Sequence, residues 1–249
     1  MPKKILILGS KPNSLVPKAE ILYCANATAA YYKDSIKNIV PQKVFTVVSS
    51  TELVSSNRTS IEKQEWIANR VEKILNCKSD KFFVTWSDVY PESINKLLSK
   101  NHSSKIEPLS AIEVEFIVNQ ILGIRYPVFC FNHLQFGAFN SLRHVLRFVI
   151  EKYKKITNKQ YNCSALFRPS TGIIALLIAI KNHGKDCEYI VSGIGVDARG
   201  DYPDASRNTW TNKNSLLYNH ILVDKFFAKK LFQKYNITFI DKSFKYLNL

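Results

Sequence analysis

The chain has no C-x-x-C pair among its five cysteines, Cys24, Cys77, Cys130, Cys163 and Cys187. Their odd number and scattered positions argue against a disulfide framework, so reduced, packed thiols are expected. Glycine is scarce, with 8 residues in 249, and no repeat or low-complexity tract occurs, which leaves no room for a collagenous, coiled-coil or disordered class. The longest apolar stretch, Ile173 to Ile180, falls far short of the ~20 residues needed to span a bilayer. Neither G-x-G-x-x-G nor a P-loop is present, and the basic residues come without a zinc-finger or RNA-recognition signature. His102, His133, His144 and His183 share no zinc-ligand spacing with carboxylates or cysteines. Met1-Pro2-Lys3-Lys4 is followed by no signal-peptide apolar region, so a cytoplasmic protein is expected.

Acid is also in short supply. Thirty-five Lys and Arg against 20 Asp and Glu give a net charge of +15, a field that attracts phosphates, anionic headgroups or nucleic acid. The cations are dispersed apart from short clusters such as Lys152-Tyr153-Lys154-Lys155 and Lys229-Lys230.

Residues Phe167 to Gly172 and their continuation form the block around which the chain is organised. Pro169 keeps Arg168 out of the helical region, Ser170 or Thr171 caps a helix start, and Gly172 permits close approach. Free backbone N–H groups at such a start make a ready anion site. The helix that follows is apolar all round and therefore buried. A buried strand then leads into Ser192-Gly193-Ile194-Gly195-Val196-Asp197.

Before this block, Ile5 to Leu8, Ile21 to Cys24, Lys43 to Val48 and Lys81 to Trp86 read as strands, and Ile237 to Ile240 closes the sheet after it. Helical spacing over Ser60 to Leu75 and Leu217 to Tyr235 completes an alternation that predicts a doubly wound, mostly parallel α/β sheet of Rossmann-like type. Ser87 to Lys159 shows helical segments alone, Pro91 to Lys100, Ser110 to Leu122 and Phe136 to Tyr153. A single domain over 1–249 is expected, with 87–159 as a helical insertion or lid. Tyr126, Phe131, His133, Phe139, Arg143 and His144 in that insertion either line an acceptor site or pack helices together.

Parallel sheets bind ligands at the carboxyl ends of their strands. The loop Gly9-Ser10-Lys11-Pro12, the residue Asn26 and the run Ser49-Ser50-Thr51 all fall there. Asn26 either caps the following helix or meets a ligand, and the hydroxyl residues either bind or make turns. Asp197 is a base, a nucleophile, a ribose binder or a turn cap. His220 opens the last helix, where the helix dipole disfavours imidazolium and keeps the ring neutral, able to take a proton.

Arg168-Pro169-Ser170-Thr171-Gly172, an apolar helix, then Cys187 through Gly193-Ile194-Gly195-Val196-Asp197-Ala198-Arg199-Gly200 resembles the small sialylmotif of the sialyltransferases. Thr171-Gly172 and Ser192-Gly193-Ile194 are similar to the shorter bacterial core of that family. Ile5 to Ser14 and Tyr23-Cys24-Ala25-Asn26 resemble its first donor loop and following asparagine, and His220 falls where it carries a catalytic histidine. The resemblance covers the two ends of the chain. It departs from the pattern at Ser49 or Ser50, which stand for a second asparagine, and at Asp224, which stands for a glutamate. Of the phosphate-binding tyrosines only Tyr202 is matched, and the segment Asp201-Tyr202-Pro203 lacks the histidine of the third motif.

What the resemblance implies is a metal-independent transferase, needing no cofactor, that moves sialic acid or a related 2-keto-3-deoxy acidic sugar from CMP to a glycan hydroxyl. Gly9, Ser10, Lys11, Asn26, Arg168, Ser170, Thr171, Gly172, Gly193 and Tyr202 would hold the donor. His220 would act as base or phosphate ligand. One alternative is a CMP-Kdo transferase, retaining if Asp197 serves as nucleophile. Another is a non-catalytic basic protein that binds nucleotide or nucleic acid, although a nucleic-acid partner is not expected under the enzyme reading. Lipid-linked acceptors would bring the protein to an anionic inner-membrane surface.

Overall fold

The computed structural model describes residues 2–11, 14–54, 69–100, 103–135, 137–157, 161, 163–194 and 220–240. Strands β1 (Lys4–Leu8), β2 (Ile21–Ala25), β3 (Lys43–Ser49), β4 (Lys81–Thr85), β5 (Lys105–Leu109), β6 (Glu188–Ser192) and β7 (Ile237–Phe239) form one sheet. Every pairing is parallel, and the order is β5-β4-β3-β2-β1-β6-β7. The helices are α1 (Thr28–Tyr31), α2 (Lys33–Ile39), α3 (Ser50–Leu53), α4 (Glu92–Leu98), α5 (Ala111–Leu122), α6 (Ala138–Thr157), α7 (Thr171–His183) and α8 (Ile221–Phe232), with a further helical segment at 69–75.

Alternate strand residues feed two cores, as the period of two requires. Ile5, Ile7, Tyr23, Phe83, Tyr189 and Val191 face α5, α7 and α8, whereas Leu6, Leu8, Leu22, Phe82 and Val84 face the opposite layer with Ile36, Leu53, Ile74 and Leu97. Helices thus cover both faces, and the fold is a Rossmann-like, doubly wound α/β sheet. The α7 helix is buried from Gly172 to Ile180, in accord with its unbroken apolar sequence. All five cysteines are free and buried.

Two local signals set boundaries near the sheet. Ser110 accepts a hydrogen bond from the Glu113 amide at 3.3 Å while Glu113 Oε2 accepts from the Ser110 amide at 2.7 Å, so α5 starts with a capping box. It ends at Gly123 with φ 69°, the left-handed stop that glycine tolerates best.

The region 87–159 differs from its expected all-helical character. Lys105-Ile106-Glu107-Pro108-Leu109 pairs with β4 as the edge strand β5, and α5 packs on α7 in the main core. A strand only half-buried and carrying Pro108 lacks the apolar run of its neighbours, which is how edge strands tolerate proline. The first part of the supposed insertion therefore continues the α/β alternation. Tyr126, His133 and His144 are buried packing residues, whereas Phe131 and Phe139 are exposed. Among the described residues no helix is long and apolar enough to cross a membrane.

Candidate active site

The chain winds outward from β1 to β5, then returns to place β6 on the other side of β1. Their carboxyl ends lie at the switch point of the strand order, where open α/β sheets bind ligands. Gly9 and Gly193 meet there. The Gly9 amide donates to the Ser192 carbonyl at 2.7 Å and the Lys11 amide to the Gly193 carbonyl at 3.0 Å. A Cβ on Gly9 would lie 2.2 Å from the Gly193 oxygen, and Gly193 has φ 74°, so both positions demand glycine. Tyr32 secures the loop: its hydroxyl donates to the Lys11 carbonyl and accepts from the Ser14 amide at 3.1 Å.

On the same edge, Arg168 is extended before Pro169, and Ser170 caps α7 by accepting from the Ile173 amide at 3.5 Å. The first helical amides, of Thr171 and Gly172, have no acceptor within the helix and point outward. Gly172 is small for a packing reason: a Cβ there would sit 2.9 Å from Cγ1 of Ile194, which follows Gly193. Helix α8 is tied to this turn twice. Asp224 Oδ1 accepts from the Ser170 amide at 2.7 Å, and His220 Nδ1 lies 3.0 Å from the Arg168 carbonyl. A carbonyl can only accept, so Nδ1 carries the proton and Nε2 is the basic nitrogen.

Burial, with Arg168 as a second cause, pushes the His220 pKa down from 6.5 to about 3, so the ring is neutral. Burial raises the Asp224 carboxyl to about 7 against the opposing pull of the Ser170 hydrogen bonds and Arg168. Arg168 is itself buried, which lowers its pKa while the Asp224 and Glu52 carboxylates support its charge. Its guanidinium lies 3.9 Å from the centroid of the Trp86 ring, and its Nε donates to the Cys163 carbonyl at 2.8 Å. Trp86 follows β4 with φ 55°, and its carbonyl accepts from the Ser50 hydroxyl at 2.6 Å.

Asn26 does not cap α1, whose N-cap is Ala27 without a side-chain hydrogen bond. Instead it takes φ 54° just past β2, and its buried Oδ1 has no hydrogen-bond partner among the described residues. The Tyr126 hydroxyl is likewise buried without a partner among the described residues, in the electrostatic neighbourhood of Arg168 and Asp224. Ser49 and Ser50 are engaged locally, Ser49 with the Thr51 hydroxyl at 2.7 Å.

The structure thus places Gly9, Ser10, Lys11, Asn26, Arg168, Ser170, Thr171, Gly172, Gly193 and His220 at the carboxyl edge of the sheet, with direct bonds joining the Gly9 and Gly193 loops and joining the α7 start to His220. Asp197 and Tyr202 lie outside the described residues. Sequence reasoning missed Trp86 as the platform of Arg168, although an aromatic directly after a strand's carboxyl end was a usable signal. It noted Asp224 without seeing that it anchors Ser170. Among the described residues no three His, Cys, Asp or Glu side chains gather as metal ligands. Comparison with known protein families, curated proteins and solved structures finds no significant match.

Proposed function

We propose that the protein is a glycosyltransferase that uses a CMP-activated acidic sugar, sialic acid or a related 2-keto-3-deoxy acid such as Kdo, and that His220 is its base. The observation that carries this reading is the bond of His220 Nδ1 to the Arg168 carbonyl, which fixes the tautomer of a ring held beside the start of α7.

Thr171 and Gly172 amides, reinforced by the buried Arg168, would take the phosphate or carboxylate of the donor. The loop of Gly9, Ser10 and Lys11 and the unpartnered oxygen of Asn26 would contact its nucleotide or sugar from across the crevice. Nε2 removes the proton of the acceptor hydroxyl as its oxygen attacks the anomeric carbon, and the electron pair of the broken bond leaves with CMP. A ring with a pKa of about 3 is a poor base in the empty site. A bound anion offsets the Arg168 charge that helps depress it, so the base strengthens when the donor is present.

Purified protein incubated with CMP-sialic acid or CMP-Kdo and glycan acceptors is expected to transfer sugar. His220→Ala should lose about 10²–10⁴-fold. Asp197→Asn separates a retaining mechanism from an inverting one, and full activity in both variants would discard the site assignment. CMP alone should raise the melting temperature. Salt-sensitive binding to any polynucleotide, with no shift by CMP, would instead support the nucleic-acid-binding alternative.

A further inference from the structure

The α6 helix (Ala138–Thr157) is built inside out. The side it turns to the protein is largely polar, with Phe148 packed on the core: His144 Nδ1 donates to the His133 carbonyl at 2.8 Å, Glu151 accepts from the Tyr161 hydroxyl at 2.8 Å and the Ser164 amide at 3.1 Å, and Lys155 pairs with Glu115. The side it turns outward is apolar. Phe139, Leu142, Leu146, Val149, Ile150, Tyr153 and Ile156 recur at the helical period, and exposure reaches 78 % at Phe139 and 84 % at Ile156. Monomeric proteins do not leave a stripe of this kind along a helix about 30 Å long without a use for it.

Charge selects the occupant. Arg143 and Lys154 stand exposed along one margin of the stripe and Lys152 along the other, while Glu151, the sole acid of the helix, is buried on the inner side, where it also pairs with Lys154 at 3.3 Å. A second copy would bring one +15 chain and its basic margins against another. An anionic bilayer surface matches both parts: the apolar face enters the acyl boundary, and the flanking cations extend to the headgroups. We infer that α6 is an interfacial membrane-docking helix that lies flat on bilayers containing anionic lipid. This inference stands on the geometry of α6 and is independent of the proposed transferase activity.

The full chain is tested by sedimentation with phosphatidylcholine vesicles with or without phosphatidylglycerol. Binding is expected with the anionic vesicles and should weaken, without vanishing, as salt is raised. Leu142→Ser/Leu146→Ser should weaken binding at least about ten-fold. Lys152→Gln/Lys154→Gln should weaken it about twenty-fold on anionic vesicles alone. The leucine variant should melt with the wild type because both of its altered side chains are exposed. Equal binding by wild type and variants overturns the inference. So does a dimer in analytical ultracentrifugation that the leucine variant dissociates without vesicle binding, or a melting temperature several degrees lower in that variant, which would mean the chain covers the face itself.

Discussion

Asp224→Asn removes one of two opposed titrations that meet at the start of α7. In the wild type the folded carboxyl holds its proton up to about pH 7 against 3.8 for the free group. The folded state therefore binds more protons in that window, and stability falls as pH rises through it. The upper bound is ~1.4 kcal/mol per unit, or about 4 kcal/mol across the window. His220 acts in reverse. Its folded pKa of about 3 lies below the ordinary value of 6.5, so the unfolded state binds more protons and stability rises with pH up to about 6.5. Between about pH 4 and 6.5 the two contributions oppose each other, and their sum is expected to be nearly flat. Asparagine keeps an oxygen for the Ser170 amide but cannot titrate, so in Asp224→Asn only the His220 slope remains. Stability of the variant relative to wild type should climb by ~0.5–1.4 kcal/mol per pH unit between about pH 4 and 7. His220→Gln should show the opposite slope. Urea unfolding at half-unit pH steps measures both. A variant-minus-wild-type difference independent of pH would refute the burial argument for Asp224.

Gly9→Ala should cost about 2–4 kcal/mol in chemical denaturation and abolish the CMP-induced thermal shift, since the added Cβ meets the Gly193 carbonyl at 2.2 Å and forces β1 and β6 apart. Asn26→Gly suits the φ of 54° and deletes a buried unpartnered oxygen, so stability should stay within about 1 kcal/mol of wild type while the CMP shift shrinks. A retained shift in that variant would remove Asn26 from the donor site. Tyr126→Phe should gain about 1 kcal/mol, because the hydroxyl it removes is buried without a partner. A loss of that size would show the hydroxyl to be bonded.

The fold was legible where one physical signal dominates. Short apolar runs ending in polar turns marked β1, β2, β3, β4, β6 and β7, and an all-apolar helix after a Pro-Ser-Thr-Gly turn marked α7. β5 was not legible, because an edge strand half in solvent needs no apolar run and Pro108 disguised it. Gly172 was read as making room for a ligand, whereas the space beside it is filled by Ile194, which only the return of β6 next to β1 brings there. For the same reason the link from Asp224 to Ser170 could not be read: it joins two helices whose proximity is set by the whole sheet. Asn26 was ambiguous until its backbone was seen in the left-handed region, which excludes the capping role.

In the proposed reaction, anion binding and proton transfer would share one short piece of backbone. The Arg168 carbonyl fixes the His220 tautomer, the Ser170 amide holds Asp224, and the amides of Thr171 and Gly172 have no acceptor within the helix. The Arg168 side chain, pinned over Trp86, acts on both groups, depressing the His220 pKa and stabilising the Asp224 carboxylate. An anion arriving at the α7 start cancels part of that positive field. It favours the protonated forms of both groups, and by linkage their protonation must tighten the anion. With a pKa of about 3, His220 is too weak a base to take up a proton near neutral pH. In the proposed reaction it would gain basicity when a negatively charged ligand offsets the Arg168 charge. Phosphate binding should therefore be accompanied by proton uptake, measurable as a dependence of binding heat on buffer ionisation, and His220→Gln should reduce that uptake.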